Sequence, residues 1–171
     1  MPSPVNNIRL IPNWISWKFR EDGEWVEKTA SDLFAGKKVL LFALPGAFTP
    51  TCSSQQLPGY EKAYAKFKKL GIDEIYCLSV NDAFVMNAWF KDQKIKNVKP
   101  IPDGSAVFTK WAEMDVLKNN LGFGSRSWRY ACIIDDMAIS SWHIEDNKID
   151  NYEEDPYEHS SPETLLAYLK G

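Results

Sequence analysis

Five residues, Val39-Leu40-Leu41-Phe42-Ala43, are apolar at every position, and no other stretch limits the fold so strongly. A strand with one wet face alternates apolar and polar residues, whereas an unbroken run reads as a central strand covered on both sides of a sheet. The run breaks at Pro45-Gly46 into a turn, and Cys52 follows where the next helix should begin. Ligands in open α/β sheets gather at the carboxyl ends of strands, and that is where Cys52 falls. A helix N-terminus adds unpaired N–H groups and a positive dipole end, which favour a thiolate over a thiol.

The rest of the chain supplies neighbours for that strand. Ile8 to Phe19, interrupted by Pro12-Asn13, suggests a short strand or two around a turn, and Glu21-Asp22-Gly23-Glu24 turns the chain into a returning strand at Trp25-Val26. Thr29 to Phe34 has the capping residues of a brief helix that ends at Gly36. Beyond Cys52, Pro58-Gly59 should kink or break a helix, and a segment to about Leu70 carries Tyr60, Ala63, Tyr64 and Phe67 on one packing face before Gly71. Glu74 to Val80 reads as the next strand, and Asn81 or Asp82 caps a helix through Phe90, so a parallel pair is expected.

Asn97 to Pro102 reads as a loop and short strand, and Asp103-Gly104 caps a helix with Val107, Phe108 and Trp111. Leu121 to Ser125 is a glycine-punctuated loop without the full dinucleotide fingerprint. Trp128 to Ile134 and Ala138 to Ile144 form a hairpin across Asp135-Asp136-Met137. Asn147 to His159 is an acidic, solvated loop, and Ser161-Pro162-Glu163 opens a terminal helix. The order βαβ then ββα predicts an α/β, thioredoxin-like fold: a central mixed sheet flanked by helices, with N-terminal strand additions, in one domain over 1–171.

Composition narrows the function classes. A formal charge of −3 and a pI near 5.4 argue against affinity for nucleic acid, which needs concentrated Lys and Arg. No window of ~18 apolar residues spans a membrane, and the N-terminus has no basic segment followed by an apolar run, so a soluble, cytoplasmic protein is expected. The three cysteines, at 52, 77 and 132, include no C-x-x-C and no zinc spacing, which fits reduced thiols without a metal or cofactor. Cys77 and Cys132 read as buried, inert thiols, and His143 and His159 show no partner for acid-base work. Trp89 and Trp128 are candidates for covering a dimer surface.

Pro45-x-x-x-Thr49-x-x-Cys52 is similar to the active-site signature of the peroxiredoxins. Pro45 to Ser53 and Cys77-Leu78-Ser79-Val80-Asn81-Asp82-Ala83-Phe84-Val85 resemble the type V group, called type II in plants. Leu57-Pro58-Gly59-Tyr60 and Arg126-Ser127-Trp128-Arg129-Tyr130 also fit, so the resemblance runs from about Gly36 to the C-terminus. It implies a thioredoxin fold and a thiol-dependent peroxidase acting on hydrogen peroxide and organic hydroperoxides. Cys52 corresponds to the peroxidatic cysteine, Thr49 and Pro45 match the motif, and Arg129 best matches the catalytic arginine, with Arg126 the competing candidate.

Members of that group with an intramolecular disulfide carry a resolving cysteine in the C-terminal region, and Asp155 to Ser161 has none. The likeness therefore implies a one-cysteine form, recycled by an external thiol: glutathione with glutaredoxin, or thioredoxin. It also suggests a homodimer. Thr49 is open to two roles, substrate orientation and helix capping. The competing functions are a noncatalytic redox sensor or chaperone on the same fold, and a monothiol glutaredoxin-like protein, for which the residues around Cys52 lack the expected glycine and tyrosine.

Overall fold

The structure, a computed structural model, is described for residues 8–171; the expectation drawn above for the N-terminus falls partly on residues 1–7, which lie outside them. In chain order the strands and helices are β1 (Arg9–Leu10), β2 (Ser16–Glu21), β3 (Glu24–Thr29), α1 (Ala30–Phe34), β4 (Lys38–Leu44), α2 (Leu57–Lys69) and β5 (Glu74–Ser79). They continue as α3 (Ala83–Asp92), β6 (Lys99–Pro102), α4 (Val107–Trp111), β7 (Asp115–Leu117), β8 (Ser125–Ser127), β9 (Tyr130–Asp135), β10 (Ala138–Ile144) and α5 (Pro162–Lys170).

The apolar run is β4, and it lies inside a six-stranded mixed sheet of order β1-β10-β9-β4-β5-β6. β4, β5 and β6 are parallel, and β9 lies antiparallel to β4 on its other side. Because successive side chains point to opposite faces, Val39, Leu41 and Ala43 enter one apolar cluster while Leu40, Phe42 and Leu44 enter the other. The first cluster packs under α1, α4 and the β2–β3 hairpin, and the second under α2, α3 and α5. Each buried Leu or Phe contributes about 1.5–3 kcal/mol of transfer free energy, so a strand buried on both faces anchors two layers at once. This is a thioredoxin-like fold. The N-terminal additions divide: among the described residues β2 and β3 pair only with each other, while β1 extends the main sheet beside β10.

Three expectations are corrected. Pro58-Gly59 does not break the helix. Residues Cys52–Gln56 instead form a π-turn, with the Leu57 N–H bonded to the Cys52 carbonyl, and Pro58 lies in the first turn of α2 where no N–H is required. Gly59 keeps its place for another reason, since a Cβ there would lie 3.1 Å from Pro162 of α5. The glycine-rich loop is flanked by a short hairpin, β7 with β8, whose three-residue strands are too brief to show a period. The acidic stretch is not solvated throughout, because His159 at its end is buried, as is Ser160 just beyond it.

Candidate active site

The carboxyl end of β4 runs into Pro45-Gly46, and helical structure begins at Pro50, so Cys52 sits in the first turn with its thiol fully buried. The loop between is held from three sides. Asn81, just beyond β5, accepts the Ala47 N–H at 3.0 Å and the Ser79 hydroxyl at 2.6 Å. The Pro45 carbonyl accepts from Arg126 Nη1 at 3.0 Å, and that guanidinium fills the space a Cβ at Gly46 would need. Phe48, at φ 64° and half exposed, places a non-glycine residue in the left-handed region beside the site. The Thr49 hydroxyl donates to the Gly46 carbonyl at 2.7 Å, while the Thr49 carbonyl accepts the Ser53 N–H at 3.0 Å.

Arg129, on the residue before β9, is 2% exposed and reaches across the sheet end to the thiol. Its Nη2 donates to Cys52 Sγ at 3.3 Å and its Nε to Gln56 Oε1 at 2.7 Å. Nη1 donates to Asp155 Oδ1 at 2.5 Å and to the Pro156 carbonyl at 3.0 Å. Burial works against the charged guanidinium, but Cys52 and Asp155 together outweigh it and hold its pKa above the usual arginine value. Burial lowers the pKa of Arg126 and of Lys118, whose ammonium lies 5.3 Å from the centre of the Trp128 ring. Cys52 favours the charged form of all three cations, so the thiol faces a positive surround.

Of the four residues singled out from sequence, Cys52 and Arg129 meet directly, and Thr49 and Pro45 line the loop above them. The competing arginine, Arg126, is committed to the Pro45 and Phe123 carbonyls and has no hydrogen bond to Cys52. Sequence reasoning missed Gln56 and Asp155. Gln56 lies one turn after Cys52, a spacing that marks a shared helix face, and its Nε2 also donates to the Ala43 carbonyl at 3.2 Å. Asp155 lies in an irregular acidic stretch, which offers no periodic signal.

The two spare thiols part company. Cys132 belongs to the apolar cluster on the far face of the sheet, and burial pushes its pKa up. Cys77 shares the cluster of Cys52; its pKa is raised well above the ordinary value by burial first and by Cys52 second. Both histidines have partners after all: His143 Nε2 lies 3.2 Å from the Ser141 hydroxyl, and His159 Nε2 lies 3.1 Å from Asp146. Trp89 and Trp128 are buried, which removes them from any surface.

A thioredoxin-like sheet with a buried cysteine at the carboxyl end of its central strand, bonded by a guanidinium, defines a thiol-based oxidoreductase. The chain matches the Redoxin family over residues 17–159. A peroxiredoxin of Rhizobium etli is 59% identical over 146 residues, 85% of this chain and 82% of that protein. Peroxiredoxin-2B of Arabidopsis thaliana is 39% identical over 84% of this chain and 89% of its own. The solved Plasmodium falciparum antioxidant protein, a 1-Cys peroxiredoxin, superposes with a TM-score of 0.92 at 37% identity, covering 97% of this chain and 99% of that one. The chain belongs to the peroxiredoxin family, in its type V group, and is a thiol-dependent peroxidase.

Proposed function

We propose that Cys52 is the peroxide-attacking thiol and that Arg129, Thr49 and Pro45 serve it. The observation that carries this reading is the 3.3 Å hydrogen bond from Arg129 to Cys52 Sγ between two buried residues. The thiolate attacks the terminal oxygen of a hydroperoxide in line with the O–O bond. An S–O bond forms as the O–O bond breaks, and the second oxygen leaves as alkoxide or hydroxide and takes a proton from water. Sulfur is oxidised to sulfenic acid and the peroxide is reduced to alcohol or water. Arg129, which cannot lose its proton, stabilises the thiolate and the charge growing on the leaving oxygen. The Thr49 proton is engaged by Gly46, so its lone pairs accept the peroxide O–H and aim the attacked oxygen at sulfur. Pro45, buried and without an N–H, adds no competing donor to the loop.

The sulfenic acid is returned by an external thiol, glutathione with glutaredoxin or thioredoxin: an S–S bond forms as water leaves, and a second thiol releases Cys52. Cys132 lies across the sheet from Cys52, which supports the one-cysteine reading, as does the likeness to a 1-Cys relative. Cys77 is the internal competitor, since it shares the cluster of Cys52. Three free thiols suit the reducing cytoplasm, and exposed Phe48 and Phe84 supply apolar surface for a homodimer. Peroxide consumption should vanish in Cys52→Ser, and Cys52 should be trapped as a mixed disulfide with the added thiol. Wild-type turnover by Cys52→Ser would refute the assignment, and a Cys52–Cys77 disulfide at full yield would refute the external thiol.

A further inference from the structure

Arg129 has its outer nitrogen fixed by Asp155 and the Pro156 carbonyl, yet both lie in an irregular stretch between β10 and α5. Asp155 is about half exposed, and among the described residues its side chain bonds only to Arg129. The segment therefore depends on other contacts for its place. Glu145, the residue after β10, is 2% exposed and turns its carboxylate inward. Oε1 accepts the backbone N–H groups of Glu158 at 2.9 Å and His159 at 3.1 Å. Oε2 accepts the N–H of Ser160 at 2.8 Å and its hydroxyl at 2.5 Å.

The backbone of Glu145 grips the opposite partner. Its N–H donates to the Arg129 carbonyl at 3.2 Å, and its carbonyl accepts the Trp128 indole N–H at 2.9 Å. One residue thus holds both the strand end that carries Arg129 and the far end of the segment that covers it. Tyr60 of α2 stacks on Phe42 with centroids 4.1 Å apart and donates to the Ser160 carbonyl at 2.5 Å, which ties the same point to the helix that follows Cys52. All four partners of the carboxylate are donors. An amide at position 145 would turn an N–H toward an N–H, so only an acid satisfies the set.

We propose that Glu145 is a positioning residue: it sets where Asp155 and Pro156 meet Arg129, and through them the aim of the guanidinium at Cys52. The inference rests on the reading of Cys52 and Arg129 given above. Its test is a double-mutant cycle of Glu145→Gln and Asp155→Asn, read by the rate of Cys52 alkylation with iodoacetamide and by the second-order rate with hydrogen peroxide. Circular dichroism checks that each variant is folded. Each single change should slow both reactions about ten- to a hundredfold, as displacement of a positioned group does. The double variant should be no slower than the worse single, because both act through one contact.

Multiplying effects in the double variant would overturn the proposal, as would wild-type rates in folded Glu145→Gln. Should that variant fail to fold, Ser160→Ala removes only the hydroxyl donor and runs the same cycle with a loss of about fivefold. A wild-type protein that alkylates but consumes no peroxide would sink the peroxidase reading, while the alkylation cycle would still decide the role of Glu145.

Discussion

Arg129→Lys separates charge from geometry at the site. Lysine keeps one positive charge, but its three donors radiate from a single atom on a flexible stem. The guanidinium serves four acceptors spread over three nitrogens: Gln56 Oε1 at 2.7 Å, Asp155 at 2.5 Å, the Pro156 carbonyl at 3.0 Å and Cys52 Sγ at 3.3 Å. An ammonium drawn to Asp155 abandons Gln56 or Cys52. Loss of one donor aimed at developing charge costs about a hundredfold in rate, about 2.7 kcal/mol. The stability cost falls mainly on Gln56, which is fully buried and left with an unmet carbonyl oxygen, about 1–3 kcal/mol. Water can replace the lost partner of half-exposed Asp155, so that contact adds little. The assay is stopped-flow tryptophan fluorescence during reaction with peroxide, since the Trp89 indole bonds Ser53 beside Cys52 at 3.0 Å. A thermal melt should fall by about 3–10 °C. A folded variant within about threefold of the wild-type rate would show that charge alone suffices and that the fork adds nothing.

Further expectations follow from other parts of the structure. Thr49→Val should lower the peroxide rate about tenfold or more while Thr49→Ser largely keeps it, because only the hydroxyl both bonds Gly46 and offers lone pairs; equal rates for the two would remove Thr49 from the mechanism. Asp103→Ala should cost about 3–5 kcal/mol in urea unfolding, since it strands the Trp17 indole N–H, the Phe108 and Thr109 N–H groups and the Thr109 hydroxyl, all without touching Cys52; a cost under about 1 kcal/mol would contradict this. Burial first, and His159 second, lower the pKa of His143 from 6.5 to about 4. Its effect on stability is nil above about 6.5, where both states are neutral, and as pH falls toward about 4 the unfolded chain alone takes the proton, removing about 3 kcal/mol. Unfolding midpoints of His143→Gln between those pH values should fall less steeply than wild type, and parallel slopes would refute the assignment.

Most of the sheet was legible because its signals are local. The unbroken apolar run, the strands that contain Cys77 and Cys132, and the caps at Thr29, Asp82 and Ser161 each depend on neighbours in sequence. The contact of Arg129 with Cys52, 77 residues apart, entered only through family likeness, since no spacing rule links them. What stayed hidden depends on tertiary context. A π-turn leaves no composition signal, and the proline that suggested a break was accommodated by it. The acidic stretch looked solvated because its charges are real, yet the donors of its far end face a buried carboxylate at Glu145.

In the proposed mechanism the helix-start position of Cys52 is only part of its activation. A helix dipole contributes about 0.3–1 kcal/mol to a charge in its first turn, whereas a hydrogen bond to a charged group contributes about 1.5–3 kcal/mol. The guanidinium therefore stabilises the thiolate more than the dipole does, and it bonds the Gln56 side-chain carbonyl and the Cys52 sulfur together. Gln56 is in turn tied to the Ala43 carbonyl near the end of β4. The thiol, the arginine and the central strand are thus linked through one side-chain amide. Gln56→Leu would free Arg129 Nε from that tie while leaving the helix dipole intact. On these magnitudes such a variant would retain the weaker stabilisation of the thiolate and loosen the stronger.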